Sequence, residues 1–240
     1  AACRATETLA AALPKARFEP RWNLAPDIAR RLLHEPGEVL PTTLQREAQL
    51  VALAAVGQGG ANAVVVIDNP SGGILAMAQR DGTGSPPPAL LQPLIYGLAL
   101  ERWLVTAASL LPVEGAWVSV HTAAAAGLTE PARQLARELE PHGLEERLRS
   151  LDPGRMPAMD LLAVAGLYRS LAAGGEWQAP QFTVGDLLPA RRLLRPEAAF
   201  VVAELLAEPD AAQVLYVAEE GDGAVAVSFD AGITVAVASA

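Results

Sequence analysis

The chain of 240 residues has one lysine, Lys15, and one cysteine, Cys3. A single cysteine excludes an intramolecular disulfide framework. Every other one of its 18 basic residues is arginine, and 27 acidic residues outweigh them, for a net charge of -9. That balance, with a pI near 4.9, excludes non-specific nucleic-acid binding, which needs basic surface to neutralise phosphates. His34, His121 and His142 stand far apart, and none has a second ligand at zinc spacing. No metal or organic cofactor is implied. No apolar run approaches the roughly 20 residues a bilayer span requires. What the chain has in excess is apolar surface. Hydrophobic residues make up 51%, charged residues 19%, and the mean hydropathy is +0.25. Intrinsic disorder is excluded, and the abundance of alanine suits close-packed helices.

Periodicity and punctuation divide the chain. Residues 4–13 read as a short helix, followed by a linker marked by Pro14, Pro20 and Pro26. Asp27 to Leu33 predicts a brief amphipathic helix with Asp27 as its cap. Thr42 or Thr43 is expected to cap a second helix, Leu44 to Val56. Ala63 to Ile67 is β-branched and bounded by turns, hence a strand, and Ile74 to Ala78 is its return across the Asp68–Gly73 turn. After a Gly/Pro loop, Ala89 to Trp103 predicts a helix apolar almost all round, which belongs in the domain centre. Helices are also expected over 119–128, 132–149 (broken near Pro141), 158–173 and 196–207, the last opened by Pro196. Val214 to Ala218, Ala224 to Phe229 and Ile233 to Ala238 form a meander. With the first hairpin this makes an α+β protein: a five-stranded antiparallel sheet covered by helices on both faces.

Motifs with chemical meaning are few. Gly57-Gln58-Gly59-Gly60 precedes a strand, whereas a phosphate-binding loop follows one and opens a helix; it reads as a helix stop. Ser85 has no residue nearby that could serve as its base. Asp160, Glu204 and Glu208 read as solvated or capping carboxylates.

Several stretches, in order, resemble the transpeptidase domain of class A penicillin-binding proteins, most of all the 1C type. Trp22 to Leu32 is similar to the linker that follows the family's glycosyltransferase domain. Pro41 to Glu47 is similar to the entry of the transpeptidase domain. Asn62 to Met77 resembles the first hairpin, Gln92 to Glu101 the central buried helix, and Met159 to Ala163 with Tyr168 to Gly175 the late helix. The resemblance implies a linker over residues 1–40, after a glycosyltransferase domain missing from this chain, and a transpeptidase-like domain over 41–240. The chain is then a fragment or a minimal domain. The implied setting is peptidoglycan synthesis on the extracytoplasmic face of a bacterial inner membrane, reached through an anchor outside this chain.

The family's chemistry is acyl transfer from a stem peptide, or from a β-lactam, to a serine. It uses Ser-x-x-Lys at the start of the central helix, Ser-x-Asn across the cleft and Lys-Thr-Gly on a strand. Here the first motif reads Ala89-Leu90-Leu91-Gln92, the second Gly127-Leu128-Thr129 and the third Glu219-Glu220-Gly221. Alanine offers no nucleophile, and glutamine takes no proton at neutral pH. Two anions stand where a carboxylate would bind. Lys15 is the only lysine, so neither lysine motif exists anywhere in the chain. The expectation is a pseudoenzyme whose partners are peptidoglycan or a cell-wall synthesis protein. The alternative is an active serine acyl-transferase or D,D-peptidase with a site rebuilt from Ser85, Thr129, Glu219 and Glu220.

Overall fold

A computed structural model describes residues 23–80, 88–151, 160–185, 189–207, 214–218, 223–228 and 232–238. The first helix, α1 (Pro26–Leu32), is followed by α2 (Arg46–Gly57), and then by β1 (Ala63–Asp68) and β2 (Ile74–Gln79). A 3-10 turn (Pro88–Leu91) runs into α3 (Gln92–Glu101). A small hairpin follows, β3 (Leu110–Val113) with β4 (Ala116–Ser119), and then α4 (Val120–Ala125), α5 (Thr129–Leu139), α6 (Leu144–Leu151) and α7 (Leu161–Ala172). The two-residue strands β5 (Glu176–Trp177) and β6 (Arg191–Arg192) precede α8 (Pro196–Leu206). The meander of β7 (Val214–Ala218), β8 (Gly223–Ser228) and β9 (Ile233–Ala238) ends the described chain.

The main sheet has five antiparallel strands in the order β2-β1-β9-β8-β7. The α+β architecture read from the sequence is therefore the one found. The last strand pairs with the first, from Ala63 opposite Ala238 to Asp68 opposite Ile233. Because strand side chains alternate, β1 feeds two layers. Ala63, Val65 and Ile67 face the main core with Leu94, Leu98, Val164, Tyr168 and Leu171. Val64 and Val66 face a second layer with Ala52, Leu53 and Val56 of α2. Helices thus cover both faces, with α2 against β1 and β2, and α7 against β9, β1 and β8. A register shift between Val66 and Ile67 lets Ile67 pair with Ile74, two residues on from the Val66–Ala76 pair.

The free edge of β2 is closed by a side chain. Buried Gln49 accepts from Met77 N at 2.9 Å and donates to Met77 O at 2.9 Å. Its amide also donates to Leu24 O at 2.9 Å, which ties the segment before α1 to the sheet.

Several local expectations are corrected. Thr43 does not cap α2; its hydroxyl donates to the carbonyls of Ile74 and Gln181, and the N-cap is Gln45, with no side-chain cap bond. Asp27 does not cap α1, whose N-cap is Ala25; it lies in the first turn and pairs with Arg30. The helix expected over 89–103 is α only from Gln92. Proline in mid-helix clashes with the carbonyl four residues back, so Pro93 forbids α-helix through Ala89 and is tolerated only near a start. The helix expected over 119–128 is preceded by a hairpin whose turn, Glu114-Gly115, takes positive φ at both positions, 47° and 85°. The break expected near Pro141 within 132–149 is found, between α5 and α6, and only the start differs, at Thr129. Residues 4–13 lie outside the described residues.

Candidate active-site cleft

The central helix α3 is buried on nearly all sides, as its apolar sequence implies. Two contacts fix its depth. At Gly97 a Cβ would come within 2.7 Å of Leu194 Cδ1 and 3.2 Å of Val202 Cγ2, so the absence of a side chain there lets α8 approach. At its C-terminal end the buried carboxylate of Glu101 accepts from Arg147 Nη2 at 2.7 Å and from the Arg195 backbone N–H at 2.8 Å. At the other end, the Tyr168 hydroxyl of α7 donates to Leu90 O at 2.7 Å. This buried bond pins the 3-10 turn that carries Ala89.

Ala89 is half-buried in that turn, and Gln92 opens α3 with only 6% exposure. Gly127, at φ 63°, turns the chain out of α4, and exposed Thr129 is the first residue of α5, which packs on α3. The Gln92 Nε2 donates to Thr129 Oγ1 at 3.1 Å, across 37 residues of sequence. The two positions matched to the family's lysine and asparagine are therefore neighbours in space. The Gln92 Oε1 is buried with no hydrogen-bond partner among the described residues. One helical turn on, the Tyr96 hydroxyl is also buried and has no partner among the described residues, and burial pushes its pKa up to about 12.

Among the described residues at these positions, no nucleophile is paired with a base. Ala89 presents a methyl group. Gln92 and Thr129 supply a neutral donor and a hydroxyl, with no base to activate that hydroxyl. Ser119 is half-buried and occupied as the N-cap of α4, accepting from Thr122 N at 3.0 Å. Asp160 caps α7, accepting from Ala163 N at 2.8 Å, and Glu204 is exposed on α8. Ser85, Glu208, Glu219, Glu220 and Gly221 lie outside the described residues. Sequence reasoning missed Tyr168 as the residue that holds the turn; its only signal was a hydroxyl-bearing ring in a largely apolar helix.

Solved structures share this fold. A peptidoglycan glycosyltransferase from Burkholderia ambifaria superposes with TM-score 0.67 at 17% identity, covering 82% of this chain and 89% of that one. The apo transpeptidase domain of penicillin-binding protein 3 from Burkholderia pseudomallei gives TM-score 0.62 at 18% identity, covering 85% and 89%. Penicillin-binding protein A from M. tuberculosis, as its penicillin G acyl-enzyme complex, gives TM-score 0.62 at 16% identity, covering 83% and 74%. The fold is that of penicillin-binding-protein transpeptidase domains. No protein-family profile matches the chain, and no curated protein matches it. Among the described residues no helix is long and apolar enough to cross a membrane.

Proposed function

We propose that the chain is a penicillin-binding-protein-like domain of peptidoglycan synthesis that has lost acyl transfer and serves as a binding or scaffolding module. The observation that carries this reading is the Gln92–Thr129 hydrogen bond beside Ala89. The three positions come together at the start of the buried helix, yet none is an activated nucleophile or a base. Losing nucleophile or base removes many powers of ten in rate, and an oxyanion hole alone leaves little. The stretches quoted above favour the class A, 1C-like branch, with residues 1–40 as a linker and 41–240 as the transpeptidase-like domain. The site of action is then the extracytoplasmic face of a bacterial inner membrane, with any anchor outside this chain. The partner is peptidoglycan or a cell-wall synthesis protein.

The test is gel labelling of the purified chain with a fluorescent penicillin, beside a thermal melt. A cooperative melt without label is expected. A covalent label would overturn the reading, and a label abolished by Ser85→Ala would establish the rebuilt-site alternative instead. Saturable binding of a muropeptide would assign the ligand role. A stable protein partner without muropeptide binding would assign the scaffold.

A further inference from the structure

On α7, next to Tyr168, Arg169 is only 4% exposed. Its Nε donates to Asn69 O at 2.8 Å, and its Nη2 reaches Pro70 O at 3.4 Å. These bonds staple the β1–β2 turn, and a purely structural arginine would end there. The third nitrogen, Nη1, donates to nothing among the described residues. No carboxylate there lies within ion-pair distance of the guanidinium. Asp68 acts on it only as a more distant charge, and its carboxylate is engaged by the backbone N–H and hydroxyl of Ser71. Buried charges are normally paired, because an uncompensated one is expensive to desolvate.

The guanidinium borders a cavity of about 460 Å³, also lined by Asn69, Pro70, Ala172, Ala173, Glu176 and Ala190. Neither Ala89, Gln92 nor Thr129 lines it. The arginine is held in place over Gly72, at φ 71°, where a Cβ would sit 3.1 Å from Cζ and 3.2 Å from Nη1. The other polar walls, Asn69, Glu176 and Gln178, are already engaged. The Asn69 amide donates to Ser228 O at 3.2 Å and accepts from Thr234 Oγ1 at 2.6 Å. Glu176 Oε1 is paired with Arg192 Nη2 at 2.7 Å. One fixed cationic side chain, its Nη1 without a partner among the described residues, thus borders a chamber whose remaining walls include three alanines and a proline.

We propose that this cavity binds a small aliphatic monocarboxylate, its carboxylate accepting from Arg169 Nη1 and its hydrocarbon lying against Ala172, Ala173 and Ala190. Charge-assisted bonds from arginine to carboxylate are among the stronger hydrogen bonds available. The Glu176 wall disfavours a dianion, so phosphate is the poorer ligand. A free carboxylic acid and the C-terminus of a short peptide share this chemistry, and propanoate and acetyl-alanine distinguish them.

The experiment uses the full 240-residue chain. Sodium propanoate, sodium acetyl-alanine, sodium phosphate and sodium chloride are titrated at constant ionic strength, with Tm and the arginine Nε–H resonances as readouts. A saturable rise of roughly 3–6 °C at ten times the Kd is expected for at least one carboxylate, with phosphate at least about tenfold weaker. The stronger of the two carboxylates identifies the source. Arg169→Gln should abolish the response. Because that change also loosens the β1–β2 turn, Ala190→Glu, at an exposed position, is the second variant. It places a carboxylate at the cavity wall and should remove the response while the protein stays folded. Carboxylates no better than chloride, phosphate equal to them, or a full response in Ala190→Glu would each overturn the assignment.

Discussion

Gln92 offers the sharpest test of the cleft. Its amide makes one bond, from Nε2 to the exposed Thr129 hydroxyl, and leaves Oε1 buried without a partner. Exchanging the amide nitrogen and oxygen would only transfer the deficit, since Thr129 can satisfy just one of them. Gln92→Met keeps the length and apolar stem of the side chain and removes both polar atoms. The lost hydrogen bond costs about 0.5–1.5 kcal/mol, while removing an unsatisfied buried acceptor returns about 1–3 kcal/mol. Thr129 is exposed and recovers its bond from water. The balance is a gain of about 1 kcal/mol, which in a chain of this size is a rise in Tm of roughly 2–4 °C. Paired thermal and urea melts measure it, with an unchanged m-value marking a change in native stability alone. A loss of more than about 1 kcal/mol would refute the reasoning, because it would mean that Oε1 holds a partner such as an ordered water. A gain would mark Gln92 as a residue kept at the expense of stability, as functional positions often are.

Four further outcomes follow from the same geometry. Gly175→Ala should cost more than about 3 kcal/mol, a fall in Tm of at least roughly 6 °C: φ is 84°, a Cβ would sit 2.2 Å from Leu194 O, and the Gly175 carbonyl accepts from both Leu193 N and Leu194 N. Tyr168→Phe leaves Leu90 O without its 2.7 Å donor and should cost about 1–3 kcal/mol in denaturant melts. The Tyr96 pKa is raised from 10.0 to about 12, so its contribution is intact below pH 10 and is lost as pH climbs from 10 to 12, while the unfolded chain ionises first. The slope is at most about 1.4 kcal/mol per pH unit, and Tyr96→Phe should flatten it without lowering stability at pH 7. The double variant Ala89→Ser with Gln92→Lys should remain folded and acquire slow labelling by fluorescent penicillin that neither single variant shows; a folded double variant without label would mean that the rest of the cleft cannot support acylation.

The sheet was legible because its strands are short, β-branched and bounded by turn residues, as in Ala63 to Ile67 and Ile233 to Ala238. The pairing of β1 with β9 was not, because two strands far apart in sequence carry no local signal of adjacency. The hairpin before α4 escaped because Pro112 stands in one strand and Glu114 takes a conformation that Asn or Asp usually supplies. The start of α3 was misplaced although Pro93 marked it, since the apolar run continues on both sides of that proline. At the site, positions 89, 92, 127 and 129 were found by resemblance. The Gln92–Thr129 bond and the Tyr168–Leu90 bond were invisible, since they join residues 37 and 78 apart. Arg169 read as part of a helix motif, and only burial against the β1–β2 turn shows its free nitrogen.

The same facts show how the fold is held independently of the positions matched to the family's motifs. The central helix is held at its start by Pro93 and the Tyr168–Leu90 bond and at its end by the Glu101–Arg147 pair, none of which is a motif residue. The motif-equivalent positions contribute little: Ala89 is half-buried, Thr129 is exposed, and Gln92 is buried but incompletely bonded. A nucleophile and a lysine in such a place are a burden on stability, since a buried amine without a full set of partners is costly to desolvate. Neither Ala89 nor Gln92 belongs to the apolar core between α3, α7 and the sheet. Folding alone therefore places no demand for a nucleophile or a lysine at these positions.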